Sequence, residues 1–226
     1  MCSSDLAPTL FEVARDQLGL PASEAVFIAN NDFLEGVSTS LAPGYGDGAE
    51  WVEVMAPSGD RPVNSDYPVF DELLARIAEN PPRLAVVNLH DVDRAGHFGE
   101  GDAYIEGVSD IDDALADFWT TLQRDYPSYA ANLLTVVVAD HGRHRHDEDN
   151  GWHNHGDSCT GCREIPLMLL GPTIQGQELE VTVTTEDVPA TVAAWLRLDM
   201  ATTGLPVAEA FEDLDVTPRS GVLDVV

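Results

Sequence analysis

An α/β fold with a mainly parallel central sheet sandwiched between helices is what this sequence predicts, and three observations carry it. Short runs such as "LAVVNLH" and "LLTVVVAD" are continuously apolar, which is how strands buried on both faces read. These runs alternate with longer segments of helical periodicity, the order of an α/β protein. The chain has 226 residues at 44% hydrophobic composition, enough for one core, and no linker or internal repeat divides it. Residues 1–226 are therefore expected to form one domain.

Taken in order, "TLFEVARDQLGL" places Leu10, Phe11, Val13, Ala14 and Leu18 at helical spacing, and Gly19 and Pro21 stop it. "AVFIAN" reads as a strand. From Gly44 to Pro68 the chain is rich in Gly, Pro, Asp and Ser, with strand character only in "WVEVM"; a connection of that length usually covers or builds a site. "VFDELLARIAEN" is an amphipathic helix ended by Pro81 and Pro82, and "LAVVNLH" is a buried strand. "YIEGVSDIDDALADFWTTLQRD" is a long amphipathic helix, "LLTVVVAD" another buried strand, "IPLMLLG" a fourth strand and "LEVTVTT" an edge strand. "TEDVPATVAAWLRL" is a helix opened by Thr185, with Glu186 and Asp187 favourable to its dipole, and the tail after Leu198 is loop-like.

Charge narrows the classes of partner. Forty acidic residues face 11 basic ones, for a net charge of -29, and every basic residue is Arg. Such a surface repels nucleic acid and anionic membranes, so neither is an expected partner. No stretch reaches the roughly 18 apolar residues of a spanning helix, and the N-terminus lacks a signal-peptide layout. The acidic surface fits strong hydration or the gathering of cations.

The chemistry collects in two loops at the carboxyl ends of strands, where crevices of α/β sheets form. "LAVVNLH" runs into "DVDRAGHFGE", where Asp93 and His97 stand four apart and a turn bent at Gly96 would bring a carboxylate and an imidazole onto one ion. "LLTVVVAD" ends at Asp140 and His141, followed by His144, His146, His153 and His155, expected on the same sheet edge as Asp93. Cys159 and Cys162 in "CTGC" admit a local disulfide, two thiolate ligands of a structural zinc, or a redox pair. The disulfide is favoured, because a redox pair should open a helix after a strand and this one precedes "REIPLMLLG". Cys2 suggests no role.

In that order, "DVDRAGH", "VVVADHG" and "HNHGDSCTGCREIPLMLLGP" resemble the last three metal-binding blocks of the alkaline phosphatase superfamily of phosphatases, phosphodiesterases, phosphomutases and sulfatases. "TLFEVARDQLG", the helix after Asp-x-x-Gly-His, "EDVPATVAAWLRL" and "GLPVAEAF" agree as well, so the resemblance spans most of the chain. It implies two divalent metal ions, zinc first and manganese second. Asp93, His97 and a later histidine would hold one, with His155 the choice and His153 the competitor; Asp140 and His141 would hold the other. Asp91 shapes the loop or substitutes for Asp93, and His144 and His146 are expected in a solvent-exposed loop. Mixed nitrogen and carboxylate ligands argue against an all-oxygen calcium site, so phosphate mono- or diesters rank above sulfate esters.

The resemblance also implies an upstream metal-binding Asp and a Ser or Thr nucleophile. Only "MCSSDLAP" precedes the first matching segment, and "CSSDL" has the look of a translated adapter remnant. The expectation is an N-terminally truncated chain whose nucleophile is missing and whose full-length form is periplasmic or extracellular. Ser38, Thr39 and Ser40 are the internal candidates. The expected function is hydrolysis of a small-molecule phosphoester. The alternatives are a sulfatase, a phosphomutase, which would need a large inserted cap, and a non-catalytic acidic metal-binding module.

Overall fold

The computed structural model describes residues 7–54, 66–99, 101–145 and 151–214. Helix α1 (Leu10–Leu18) starts in a capping box: the Thr9 side chain accepts from the Glu12 amide, and Glu12 accepts from the Thr9 amide at 2.7 Å. It stops where Gly19 takes φ 66°, a left-handed cap that glycine adopts without steric cost. Strand β1 (Ala25–Ala29) is buried throughout. It lies between β2 (Glu50–Glu53) and β3 (Leu84–Asn88), parallel to both, with Phe27 opposite Trp51 and Val86.

The pleat of β1 explains its unbroken apolar run. Ala25, Phe27 and Ala29 point into one cluster, shared with Phe11, Val13 and Ala14 of α1 and Ala193 of α7 (Asp187–Leu196). Val26 and Ile28 point into the other, made by Val69, Phe70, Leu73 and Ile77 of α2 (Tyr67–Glu79) and Ala114, Phe118 and Leu122 of α4 (Gly101–Asp125). Helices thus cover both faces of a parallel sheet, as the sequence predicts.

Between β3 and α4 lies α3 (Asp91–Phe98), and after α4 come the short α5 (Pro127–Ala130) and β4 (Thr135–Val138). A one-turn helix α6 (Thr160–Arg163) leads into β5 (Leu167–Leu170).

Several expectations are corrected. β4 and β5 pair antiparallel with each other, Val137 opposite Met168, and form a second sheet apart from the first. Asp93 and Asp140 therefore do not follow strands of one sheet edge. A parallel return needs a crossover, usually a helix, and the connection from β4 to β5 is instead occupied by the histidine and cysteine loop. β3 buries only Leu84 and β4 is half-exposed, because neither has neighbours on both sides. "LEVTVTT" forms no strand, and Val181 is 45% exposed: alternation supplies a face but not a pairing partner. The last helix is capped at Glu186 rather than Thr185, and the Asp187 carboxylate gathers the amides of Thr184 and Leu205, each at 2.7 Å.

Candidate metal centre

The segment "DVDRAGH" is a helix and not a turn, so Asp93 and His97 meet as i and i+4 neighbours on one face of α3. Gly96 is there for a different reason than bending. A Cβ at Gly96 would run into the guanidinium of Arg143, which crosses α3 at that point. Arg143 is buried; it pairs with the Asp93 carboxylate, donates to the Asp93 carbonyl at 2.6 Å and the Trp152 carbonyl at 3.2 Å, and lies 5.7 Å from the Tyr104 ring centroid. Sequence reasoning passed over Arg143; the signal was an Arg directly after Asp-His-Gly in a strongly acidic chain.

Three imidazoles converge on the same carboxylate. The Nε2 atoms of His155, His97 and His141 lie 3.3, 3.6 and 3.9 Å from Asp93 Oδ1. His97 Nε2 and His155 Nε2 are 2.9 Å apart, and the His141 and His155 rings stack with centroids 3.7 Å apart. His141 Nδ1 lies 3.0 Å from the Gly142 carbonyl, which can only accept, so Nδ1 is the donor there and Nε2 is the ring atom that faces the cluster. Burial, then the neighbouring His141, holds the His155 pKa below its ordinary value, which keeps its ring neutral and able to bind a cation. Asp93, His141 and His155 present ligand atoms within 4.8 Å of one another. A carboxylate oxygen with imidazole nitrogens is a donor set that suits zinc, so the residues fit a divalent ion of that class.

The other candidates fall elsewhere. His153 Nδ1 meets the Gly96 carbonyl at 3.1 Å and its ring lies against Trp152 at 3.8 Å, so His155 and not His153 joins the cluster. The Asp140 side chain is 80% exposed, with its Oδ2 3.5 Å from His141 Nε2. Asp91 is buried, its carboxylate accepting from the Asp66 amide while Asp66 accepts from the amides of His90 and Asp91; it shapes the loop. His144 is a correction: it is 7% exposed, not a solvent-facing loop residue, because Asp157 and the cysteine pair enclose it. His146, Cys2, Ser3, Ser4 and Asp5 lie outside the described residues.

Cys159 and Cys162 are thiols, not the expected disulfide. Cys159 caps α6, its sulfur accepting from the Cys162 amide at 3.2 Å, so the pair does open a helical turn. The Ser38 hydroxyl donates to the Glu35 carbonyl at 2.7 Å, and the Ser40 hydroxyl accepts from the Ala42 amide at 3.0 Å; both serve their loop.

Comparison with known proteins agrees with this picture. The sequence model of the Metalloenzyme superfamily matches residues 23–200. A 2,3-bisphosphoglycerate-independent phosphoglycerate mutase of Gracilaria tenuistipitata var. liui is 26% identical over 144 residues, covering 62% of this chain and 26% of the relative. A crystal structure of Leishmania mexicana phosphoglycerate mutase at low cobalt concentration superposes with a TM-score of 0.55 at 18% identity, covering 86% of this chain and 38% of that one, a likeness of fold. The chain thus spans well under half the length of the relatives it matches.

Proposed function

The chain belongs to the Metalloenzyme superfamily, of alkaline phosphatase-like fold, and from that premise we propose that it forms the metal-holding part of an enzyme acting on small phosphate mono- or diesters, with hydrolysis as the leading reaction. The observation that supports this most is the convergence of three imidazole Nε2 atoms on Asp93 Oδ1. Asp93, His97 and His155 would hold one ion; His141 and Asp140 would contribute to a second, zinc being the first choice and manganese the next. Ions bound there would polarise phosphoryl oxygens and activate an attacking oxygen.

The chain's own groups prepare for that. The buried Arg143 pairs with the same Asp93 Oδ1 that the imidazoles approach and places a permanent cation at the edge of the site. The Gly142 carbonyl sets the His141 tautomer, and the depressed pKa of His155 leaves a lone pair for a cation at neutral pH. With a net charge of -29, the protein would repel an anionic ester unless local cations offset it.

A phosphomutase reading is favoured by one specific observation: the relatives matched in sequence and in fold are both phosphoglycerate mutases. The two readings separate by product. With zinc or manganese added, a full-length protein containing this chain should release inorganic phosphate from an aryl phosphate, or a phenol and a phosphomonoester from an aryl phosphodiester, and lose that activity in Asp93→Asn. Interconversion of phosphoglycerate isomers without phosphate release would select the mutase. Isothermal titration showing the same tight zinc binding in His97→Ala as in the wild type would overturn the metal centre itself.

A further inference from the structure

A second group of ligand atoms lies beside the first and belongs to none of the roles assigned above. His144, Asp157, Cys159 and Cys162 each present one ligand atom, all within 4.8 Å of one another. We propose that these four side chains form a tetrahedral structural zinc site that clamps the loop carrying His141 and His155.

The donor set is two cysteines, one histidine and one carboxylate, with two residues between the cysteines, a spacing common in structural zinc sites. Zinc binds sulfur at about 2.3 Å and nitrogen or oxygen at about 2.0–2.2 Å, so tetrahedral ligand atoms sit roughly 3.3–3.8 Å apart. The observed group needs to close by about 1.5 Å at most to reach that geometry. His144 Nε2 and Asp157 Oδ2 are already 3.1 Å apart.

Its surroundings hold these atoms in place. The Cys159 amide donates to Asp157 Oδ1 at 2.8 Å, which leaves Oδ2 for His144 and the ion. The Cys162 amide donates to Cys159 Sγ at 3.2 Å, a contact that stabilises a thiolate. The two arms carrying the ligands are locked backbone to backbone: the Gly142 amide donates to the Cys162 carbonyl at 2.8 Å and the His144 amide to the Asn154 carbonyl at 3.0 Å. At both Gly142 and Gly161 a Cβ would collide with the opposite arm, at the Gly161 and Arg143 carbonyls. His144 and Cys162 are buried, so the site would be closed on its inner side.

Binding exchanges a hydrated zinc ion's water for four protein ligands, and the two thiols release their protons to solvent; nothing is oxidised or reduced. The consequence for the first centre is positional. His144 follows His141 by three residues and Asp157 follows His155 by two, so an ion here ties both imidazoles to one anchor.

The 226-residue chain, prepared under reducing conditions and loaded with cobalt(II), should show thiolate-to-cobalt charge-transfer absorption in the near ultraviolet. That band should persist in Asp93→Asn, which damages only the first centre, and vanish in Cys159→Ser/Cys162→Ser together with one equivalent of tightly bound zinc. X-ray absorption of the zinc-loaded wild type should find two sulfurs around part of the zinc, and this measurement stands even where the double variant does not fold. Zinc surrounded by nitrogen and oxygen alone, zinc stoichiometry unchanged in a folded double variant, or a Cys159–Cys162 disulfide in the reduced, zinc-loaded protein would each overturn the proposal.

Discussion

At the scale of single residues, Asp93 is the position on which most depends. Its Oδ1 is the common neighbour of His97, His141 and His155, and its other partner, Arg143, is buried. Asp93→Asn keeps the shape but removes the charge, so zinc affinity should fall by on the order of 100-fold or more, read by isothermal titration. Asp140→Ala, at an exposed side chain, should leave the metal-free protein as stable as the wild type and lower only the zinc-bound melting temperature. A large loss without metal would make Asp140 structural instead. Asp187 carries a pH signature. Burial pushes its carboxyl up, but hydrogen bonds from the Thr184 and Leu205 amides outweigh this and leave its pKa below the ordinary 3.8. A depressed folded-state pKa gives stability that is present above the unfolded value and lost as pH falls through the folded one. Asp187→Ala should therefore cost about 1–2 kcal/mol at neutral pH, and the gap to the wild type in urea unfolding should narrow below pH 3.8.

At the scale of elements, α3 and β1 make opposite demands. Within α3, Gly96 is an intrinsically poor helix residue, costing about 1 kcal/mol relative to Ala, and its place is set by the Arg143 guanidinium crossing it. Gly96→Ala should destabilise the wild type by about 1–3 kcal/mol through overpacking. In an Arg143→Ala background the same change should become neutral or stabilising by up to about 1 kcal/mol, so the two substitutions should be strongly non-additive in a double-mutant cycle. Additive effects would show that the contact does not set the glycine. In β1, Ile28 is fully buried between β1's neighbours and the α2 and α4 face, and Ile28→Ala should cost about 3–4 kcal/mol.

At the scale of the whole molecule, α3 joins the sandwich around β1 to the metal-binding loops. Arg143 from the loop reaches the Asp93 and Trp152 carbonyls, and His153 reaches the Gly96 carbonyl. Metal binding should therefore stabilise the fold as a unit. Zinc at about 100 times the dissociation constant of the Asp93 centre should add about 2.7 kcal/mol through that centre, a share of the rise in melting temperature that Asp93→Asn removes. The chain covers 26% of one relative and 38% of another. Turnover of an aryl phosphate by these 226 residues alone should stay near background, since a misplacement of about 1 Å in an attacking group already costs about 100-fold. Turnover by the chain alone that is lost in Ser38→Ala, Thr39→Ala or Ser40→Ala would place the nucleophile in "VSTS".

The sequence by itself determined the α/β class, the helices α1, α2, α4 and α7 and the strand β1, because each of these is specified by local periodicity and by stop signals such as Gly19 and Pro81. It also determined which residue types could bind metal, since Asp93, His97, Asp140, His141 and His155 follow two apolar strand-like runs in the chain whatever the packing. Only the tertiary structure decided which of them meet. Strand pairing is non-local, so nothing in "LLTVVVAD" or "IPLMLLG" says that they pair with each other, antiparallel, rather than extend the first sheet. The choice of His155 over His153, the burial of His144, the turn of the cysteines toward Asp157 and the grip of Arg143 on Asp93 depend on how two loops pack across α3. Two of those contacts, Arg143 with Asp93 and His155 with His97, join residues 50 and 58 positions apart, beyond the reach of any local pattern.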